Sequence, residues 1–171
     1  MNVHPTLTEL RDFAVTALGI VPAAKSWLAG MKFLKQPHFS EGCVVTPAAT
    51  LPKTAAALVG RSLSQPGVRL ATGTSVPLDT VLGPGWALLH FIDGPNIEIR
   101  AFANSPSDGA PTLTVTDDAG TFGHLAGTGI SLLVRPDRYV AAAVEASAVA
   151  TALESLSRYS PRLKQASAQT R

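Results

Sequence analysis

Four histidines, a single cysteine and two adjacent aspartates are the residues with which this sequence could perform chemistry. The histidines are scattered along the chain without the spacing of metal ligands, so we expect no zinc site; they are His4, His38, His90 and His124. His90 lies in a nearly continuous apolar run, which is typical of a buried strand. We interpret it as a hydrogen-bonded core or edge histidine rather than as a catalytic base.

The two aspartates, Asp117 and Asp118, could suggest a pair of catalytic carboxylates. Adjacent strand residues point to opposite faces of a sheet, however, so we expect turn or helix-capping roles instead. Cys43 is the single cysteine, which excludes an intrachain disulfide and a CxxC pair. No cation or helix N-terminus can be assigned beside it from the sequence, and we interpret it as a passive thiol.

The short motifs that bind nucleotides, phosphates or catalytic metals are missing from the sequence. Two glycine pairs, Gly83-Pro84-Gly85 and Gly127-Thr128-Gly129, each lack the third glycine of a dinucleotide fingerprint. The sequence therefore predicts no catalytic, cofactor-binding or metal-binding residue.

Composition limits the partners of the 171-residue chain. The net charge is +2 and only 15% of the residues are charged, with no basic stripe, so we expect no nucleic-acid partner. The most apolar early stretch, Ala17 to Met31, is interrupted by Pro22 and Lys25 and is too short to span a bilayer. We expect a cytoplasmic protein with no membrane partner.

The elements that would position these residues fall into two parts. Two short N-terminal helices are predicted by apolar residues at helical spacing, namely Leu10, Phe13, Ala14, Ala17 and Leu18, then Ala24, Trp27, Leu28 and Met31. Trp86 to Ile92 predicts a central strand, and residues 97–101 predict a half-buried strand or an irregular helix. Ile130 to Ala143 predicts a hairpin that turns at Arg135-Pro136-Asp137-Arg138. With a C-terminal amphipathic helix, these elements predict a mixed sheet with flanking helices.

Three segments carry a resemblance to a known family, and they cover residues 60–68, 78–89 and 132–141. They read Gly-Arg-Ser-Leu-Ser-Gln-Pro-Gly-Val, Leu-Asp-Thr-Val-Leu-Gly-Pro-Gly-Trp-Ala-Leu-Leu and Leu-Leu-Val-Arg-Pro-Asp-Arg-Tyr-Val-Ala. In this order they resemble the C-terminal region of FAD-dependent aromatic hydroxylases of the hydroxyphenylpropionate and polyketide hydroxylase type. Residues 118–122 also resemble a turn of that region.

The resemblance implies an α/β fold (an α+β mixed sheet): a thioredoxin-like domain without the CxxC motif, preceded by the two helices. It implies three parts: residues 1–45 as the end of a flavin and substrate module, 46–60 as a linker, and 61–171 as the thioredoxin-like domain. The flavin-binding elements of the family are missing here. We therefore expect no cofactor on this chain alone, although the parent family uses FAD and NAD(P)H.

The resulting hypothesis is a non-catalytic structural and association module of an FAD-dependent aromatic-ring monooxygenase. It would self-associate or bind a flavin-module partner, because the apolar stripes of its N-terminal helices need a cover. Arg135 and Arg138 flank the hairpin turn and are either solvated or paired with a carboxylate, which could belong to a partner chain. The alternative is a thioredoxin-like protein that uses its single cysteine for redox chemistry or binds a small molecule.

Overall fold

A computed structural model describes residues 37–102 and 112–159. Seven strands form one sheet in this part of the chain: β1 (Gly67–Leu70), β2 (Ser75–Pro77), β3 (Trp86–Phe91), β4 (Asn96–Phe102), β5 (Leu113–Thr116), β6 (Ile130–Val134) and β7 (Val140–Glu145). Three short helices accompany them: α1 (Lys53–Ala56), α2 (Leu78–Leu82) and α3 (Val149–Leu156). Two 3-10 turns cover Gly123–Leu125 and Ala146–Ala148.

The sheet has the order β2-β1-β5-β4-β3-β6-β7, and every neighbouring pair is antiparallel. The expected α/β thioredoxin-like fold with a mixed sheet is therefore wrong. A parallel pair needs a crossover of a dozen or more residues, whereas a tight turn suffices for an antiparallel pair. Only residues 92–95 separate β3 from β4, with Gly94 at φ +64 in the turn.

Two local predictions are confirmed. The run that begins at Trp86 forms the interior strand β3, which pairs with β4 on one side and β6 on the other. The predicted hairpin forms as β6 and β7. The Arg138 N–H donates to the Arg135 carbonyl at 2.9 Å, so Pro136 and Asp137 hold the central turn positions, as predicted.

The two faces of the sheet bury separate apolar clusters, because side chains alternate along each strand. The larger cluster lies under α1, α2 and residues 122–125; its members include Ala55, Leu78, Leu82, Leu89, Phe91, Ile97, Ile99 and Leu125. The smaller cluster lies under α3; its members include Trp86, Phe102, Leu133, Ala142, Val149, Leu153 and Leu156.

The predicted domain limits stay predictions. The two predicted N-terminal helices fall within residues 1–36, outside the described residues. In the segment expected to be a linker, Leu51, Ala55 and Val59 are buried in the larger cluster. No helix within the described ranges is long and apolar enough to cross a membrane.

Candidate functional site

Arg138 joins two of the segments that carry the resemblance. Its Nε donates to the Oδ1 atom of Asp79, and its Nη2 donates to the Gly83 carbonyl at 2.5 Å. The Arg138 backbone has φ +68, a left-handed conformation that closes the hairpin turn after Asp137. Of the readings left open by the sequence, pairing with a carboxylate is the one observed, and the carboxylate belongs to this chain.

Arg135 is also paired within the chain. Its guanidinium donates to both carboxylate oxygens of Asp137, at 3.0 and 2.5 Å. It lies 5.3 Å from the ring centre of Phe39 and 5.9 Å from that of Tyr139, within the range of cation–π attraction. These two rings meet edge to face with their centres 4.9 Å apart.

Backbone hydrogen bonds bring the first segment to the same place. The Gly60 N–H donates to the Val140 carbonyl at 2.8 Å, and the Val140 N–H donates to the Arg61 carbonyl at 2.9 Å. The Leu63 N–H donates to the Arg138 carbonyl at 2.8 Å. We call this meeting of residues 60–63, 79–83 and 135–140 the motif junction.

Gly60 lets the chain approach closely at the motif junction. Its φ is +76, and a Cβ built on it would lie 1.9 Å from the carbonyl oxygen of Phe39. The Phe39 N–H donates to the Gly60 carbonyl at 2.9 Å. Any side chain at this position would collide with that backbone, so glycine is required.

His90 lies in a row of polar side chains across four strands. The register places it opposite Glu98 on β4 and Ser131 on β6, and Glu98 opposite Thr114 on β5. His90 Nδ1 and the buried Ser131 Oγ are 3.0 Å apart, as a hydrogen-bonded strand histidine requires. Beside the row lies a cavity of about 230 Å³, which extends to Val149 at the start of α3. Ser131 was not predicted as a site residue, because a serine in an apolar strand gives no signal of its partner.

The two adjacent aspartates lie in different environments. Asp118 is exposed and binds the Arg69 guanidinium at 2.6 Å. Asp117 is 3% exposed, and its Oδ2 accepts the Phe122 N–H at 2.7 Å. The two carboxylates therefore have different partners, and the turn role expected for Asp117 is the one observed. Its burial was not predicted.

Cys43 and the other histidines complete the candidates. Burial raises the pKa of the Cys43 thiol, although the nearby Arg135 guanidinium acts in the opposite direction. His38 Nε2 lies 3.2 Å from the Val59 carbonyl, and His4 lies outside the described residues. Within residues 37–102 and 112–159, no three histidine, cysteine or acidic side chains are grouped as metal ligands. The expectation that the chain has no catalytic or cofactor-binding residue stays a prediction.

The chain is similar to several curated aromatic hydroxylases. It is 28% identical over 179 residues to the 3-(3-hydroxy-phenyl)propionate/3-hydroxycinnamic acid hydroxylase 2 of Burkholderia vietnamiensis, covering 90% of this chain and 32% of that protein. It is 32% identical over 157 residues to the corresponding hydroxylase of Klebsiella pneumoniae, covering 78% of this chain and 27% of the relative. For the hydroxylase of Mycolicibacterium smegmatis, the identity is 34% over 96 residues, or 54% of this chain and 16% of the relative.

The chain thus spans about a third or less of the length of these relatives. No protein-family model matches it, and no solved structure matches it. The matches nevertheless agree on one group of enzymes. The chain is homologous to the C-terminal portion of the 3-(3-hydroxyphenyl)propionate hydroxylases, which are FAD monooxygenases.

Proposed function

We propose that this chain is a non-catalytic structural module of an FAD-dependent aromatic-ring monooxygenase. The observation that carries the proposal is the motif junction. Arg135 and Arg138 donate to acceptors within the chain, and Gly60 serves a close backbone approach. The residues behind the resemblance therefore stabilise the fold of this region, as expected of a module that supports an enzyme.

The state of Cys43 argues against the redox alternative. A nucleophilic cysteine needs a lowered pKa, because the thiolate is the reactive form. Burial raises the pKa of the Cys43 thiol, so less thiolate is present at neutral pH than in a free thiol. The thioredoxin-like fold on which that alternative depended is also not the fold observed.

The proposed partner is a flavin module, or a second copy of the chain. The support is the pair of apolar stripes predicted in the N-terminal region, which contain Phe13, Trp27 and Leu28. Burying one large apolar side chain contributes about 1.5–3 kcal/mol, so several together are sufficient to drive association.

A chimera tests the structural role. The C-terminal portion of the Burkholderia vietnamiensis hydroxylase is replaced by this chain, and FAD content and NAD(P)H oxidation with 3-(3-hydroxyphenyl)propionate are measured. We expect the chimera to retain FAD and activity, and the truncated hydroxylase to lose them. A chimera with Gly60→Ala should approach the truncated enzyme, whereas Gly73→Ala, a glycine outside the motif junction, should not.

Two results would contradict the proposal. One is a truncated hydroxylase as active as the intact enzyme, since the region would then support nothing. The other is flavin binding and NAD(P)H oxidation by the purified 171-residue chain alone. Light scattering of the same preparation separates self-association from a monomer of 17.7 kDa.

A further inference from the structure

The cavity beside the His90 row is lined by side chains of opposite charge. Its volume is about 230 Å³, and Glu98 and Arg100 both lie in its lining. We propose that this cavity binds a free amino acid with an apolar side chain, whose ammonium group contacts Glu98 and whose carboxylate contacts Arg100. This inference is independent of the function proposed above.

The strand register places both charged side chains on the face of the sheet that packs against α3. Arg100 lies opposite Leu88, and Glu98 lies opposite His90. Leu88 packs against the apolar cluster under α3, and residues that are two positions apart on a strand share a face. Glu98 and Arg100 are therefore neighbours on this face, with Cα atoms about 6–7 Å apart.

The two charged side chains do not pair with each other. No ion pair joins Glu98 to Arg100 within the described part of the chain. The central carbon of the Arg100 guanidinium lies 5.7 Å from the ring centre of Phe102, on the side away from Glu98. Arg100 has a further interaction in the chain, and its five N–H donors allow it to hold a carboxylate as well. A molecule that carries both charges complements both side chains, whereas a singly charged molecule meets one like charge.

Uncharged polar side chains add to both ends of the cavity. At the Glu98 end, the Nδ1 of His90 lies 3.0 Å from the Ser131 Oγ, which holds the ring in place. With the proton of the neutral ring on Nδ1, its Nε2 accepts a hydrogen bond from an ammonium group. Thr112 also lines the cavity, and its hydroxyl can donate to a carboxylate.

The rest of the lining suits an apolar side chain. Leu88, Ala146 and Val149 contribute to it, and Val149 is the first residue of α3. An apolar cavity of about 150 Å³ holds a benzene molecule, so one of about 230 Å³ is large enough for an amino acid with a branched aliphatic side chain. Leucine combines the two charges with such a side chain and is therefore the probe.

Three matched probes test the site with the complete chain. Leucine carries both charges, 3-methylbutylamine lacks its carboxylate, and 4-methylpentanoate lacks its ammonium group. Each is titrated into the protein at neutral pH while amide NMR shifts are followed at His90, Glu98 and Ser131. We expect leucine to bind at least about tenfold more tightly than either analogue, because one hydrogen bond to a charged group contributes about that factor.

Variants that remove one charge assign each end of the ligand. Glu98→Gln should weaken leucine and the amine about tenfold without weakening 4-methylpentanoate. Arg100→Gln should weaken leucine and 4-methylpentanoate instead. Glu41→Gln, at an exposed position outside the cavity lining, should leave all three affinities unchanged. The amide spectrum of each variant checks its fold, and Glu98→Gln decides the question if Arg100→Gln does not fold.

Several outcomes would overturn the proposal. They are wild-type protein that binds none of the probes, an analogue that binds as tightly as leucine, and an unchanged affinity for leucine in Glu98→Gln. Shifts confined to residues away from the cavity would place the ligand elsewhere. An equal loss of affinity in Glu41→Gln would also contradict it, because the effect would then come from net charge and not from the cavity.

Discussion

Replacing Gly60 by alanine tests the motif junction most directly. Gly60 has φ +76, and the new methyl group would lie 1.9 Å from the Phe39 carbonyl oxygen and 2.8 Å from the carbonyl carbon. Both contacts are with backbone, so no side-chain rotation relieves them. The chain must separate at the point where Phe39 and Val140 form hydrogen bonds with Gly60.

The expected loss of stability follows from two contributions. A left-handed backbone costs an alanine about 1–2 kcal/mol relative to glycine. Each backbone hydrogen bond that opens costs about 1 kcal/mol more. With one or both bonds to Gly60 broken, the free energy of unfolding should fall by about 2–4 kcal/mol. For a chain of this size, 1 kcal/mol lowers the Tm by about 2–4 °C.

Gly73→Ala provides the matched control. Gly73 has φ +84, but no atom lies within 4 Å of the position that its Cβ would take. This variant therefore carries the backbone cost without the collision. In urea unfolding monitored by Trp fluorescence, Gly60→Ala should lose about 1–2 kcal/mol more than Gly73→Ala. Equal losses in the two variants would refute the reasoning, because the approach of Phe39 would then contribute nothing.

Three further predictions concern other parts of the described fold. Arg138→Ala should lower the free energy of unfolding by about 1–3 kcal/mol, mainly because the hydrogen bond to the Gly83 carbonyl is lost. A double-mutant cycle with Asp79→Ala should show a coupling energy below about 1 kcal/mol, because the ion pair between Arg138 and Asp79 is partly exposed. Cys43 should react with iodoacetamide more slowly at pH 8 than a free thiol, because burial raises the pKa of its thiol, and a rate equal to that of a free thiol would contradict this prediction. Since the folded form holds the thiol proton more tightly than the unfolded form, the contribution of Cys43 to stability should fall as pH rises through the pKa of the folded form. Leu89→Asp should destabilise the chain more than Leu88→Asp, because Leu89 is 0% exposed and Leu88 is only half-buried; equal thermal unfolding midpoints would show otherwise.

The sequence predicted the local elements of the fold better than its topology. The run beginning at Trp86 and the Arg-Pro-Asp-Arg turn are local signals, and both formed as predicted. Residues 97–101 alternate between apolar and polar types, which is a strand pattern, and they form part of β4. The resemblance instead suggested a thioredoxin-like unit with a mixed sheet. The mixed sheet was wrong because only residues 92–95 connect β3 to β4, and so short a connection allows only an antiparallel pair.

The candidate sites were less predictable because they depend on distant residues. Arg138 and Asp79 lie 59 positions apart in the chain, so no local pattern identifies them as partners. The Arg-Pro-Asp-Arg motif predicted the position of the hairpin turn, but it did not identify the residues that the turn contacts. Asp117 was expected in a turn, and it is, but its burial depends on the fold of the whole sheet.

The motif junction also covers part of an edge of the sheet, which explains why its residues occur together. β7 is an outer strand, and a free outer strand presents unpaired backbone groups that promote aggregation. Residues 60–63 pair with Arg138 and Val140, and the Val45 N–H donates to the Ala141 carbonyl at 2.7 Å. Arg138 in turn fixes the hairpin end against α2 through Asp79. One set of contacts therefore covers the start of β7 and joins the segment before β1 to the last hairpin. These contacts give the residues of the motif junction a role in stabilising the sheet edge and the last hairpin.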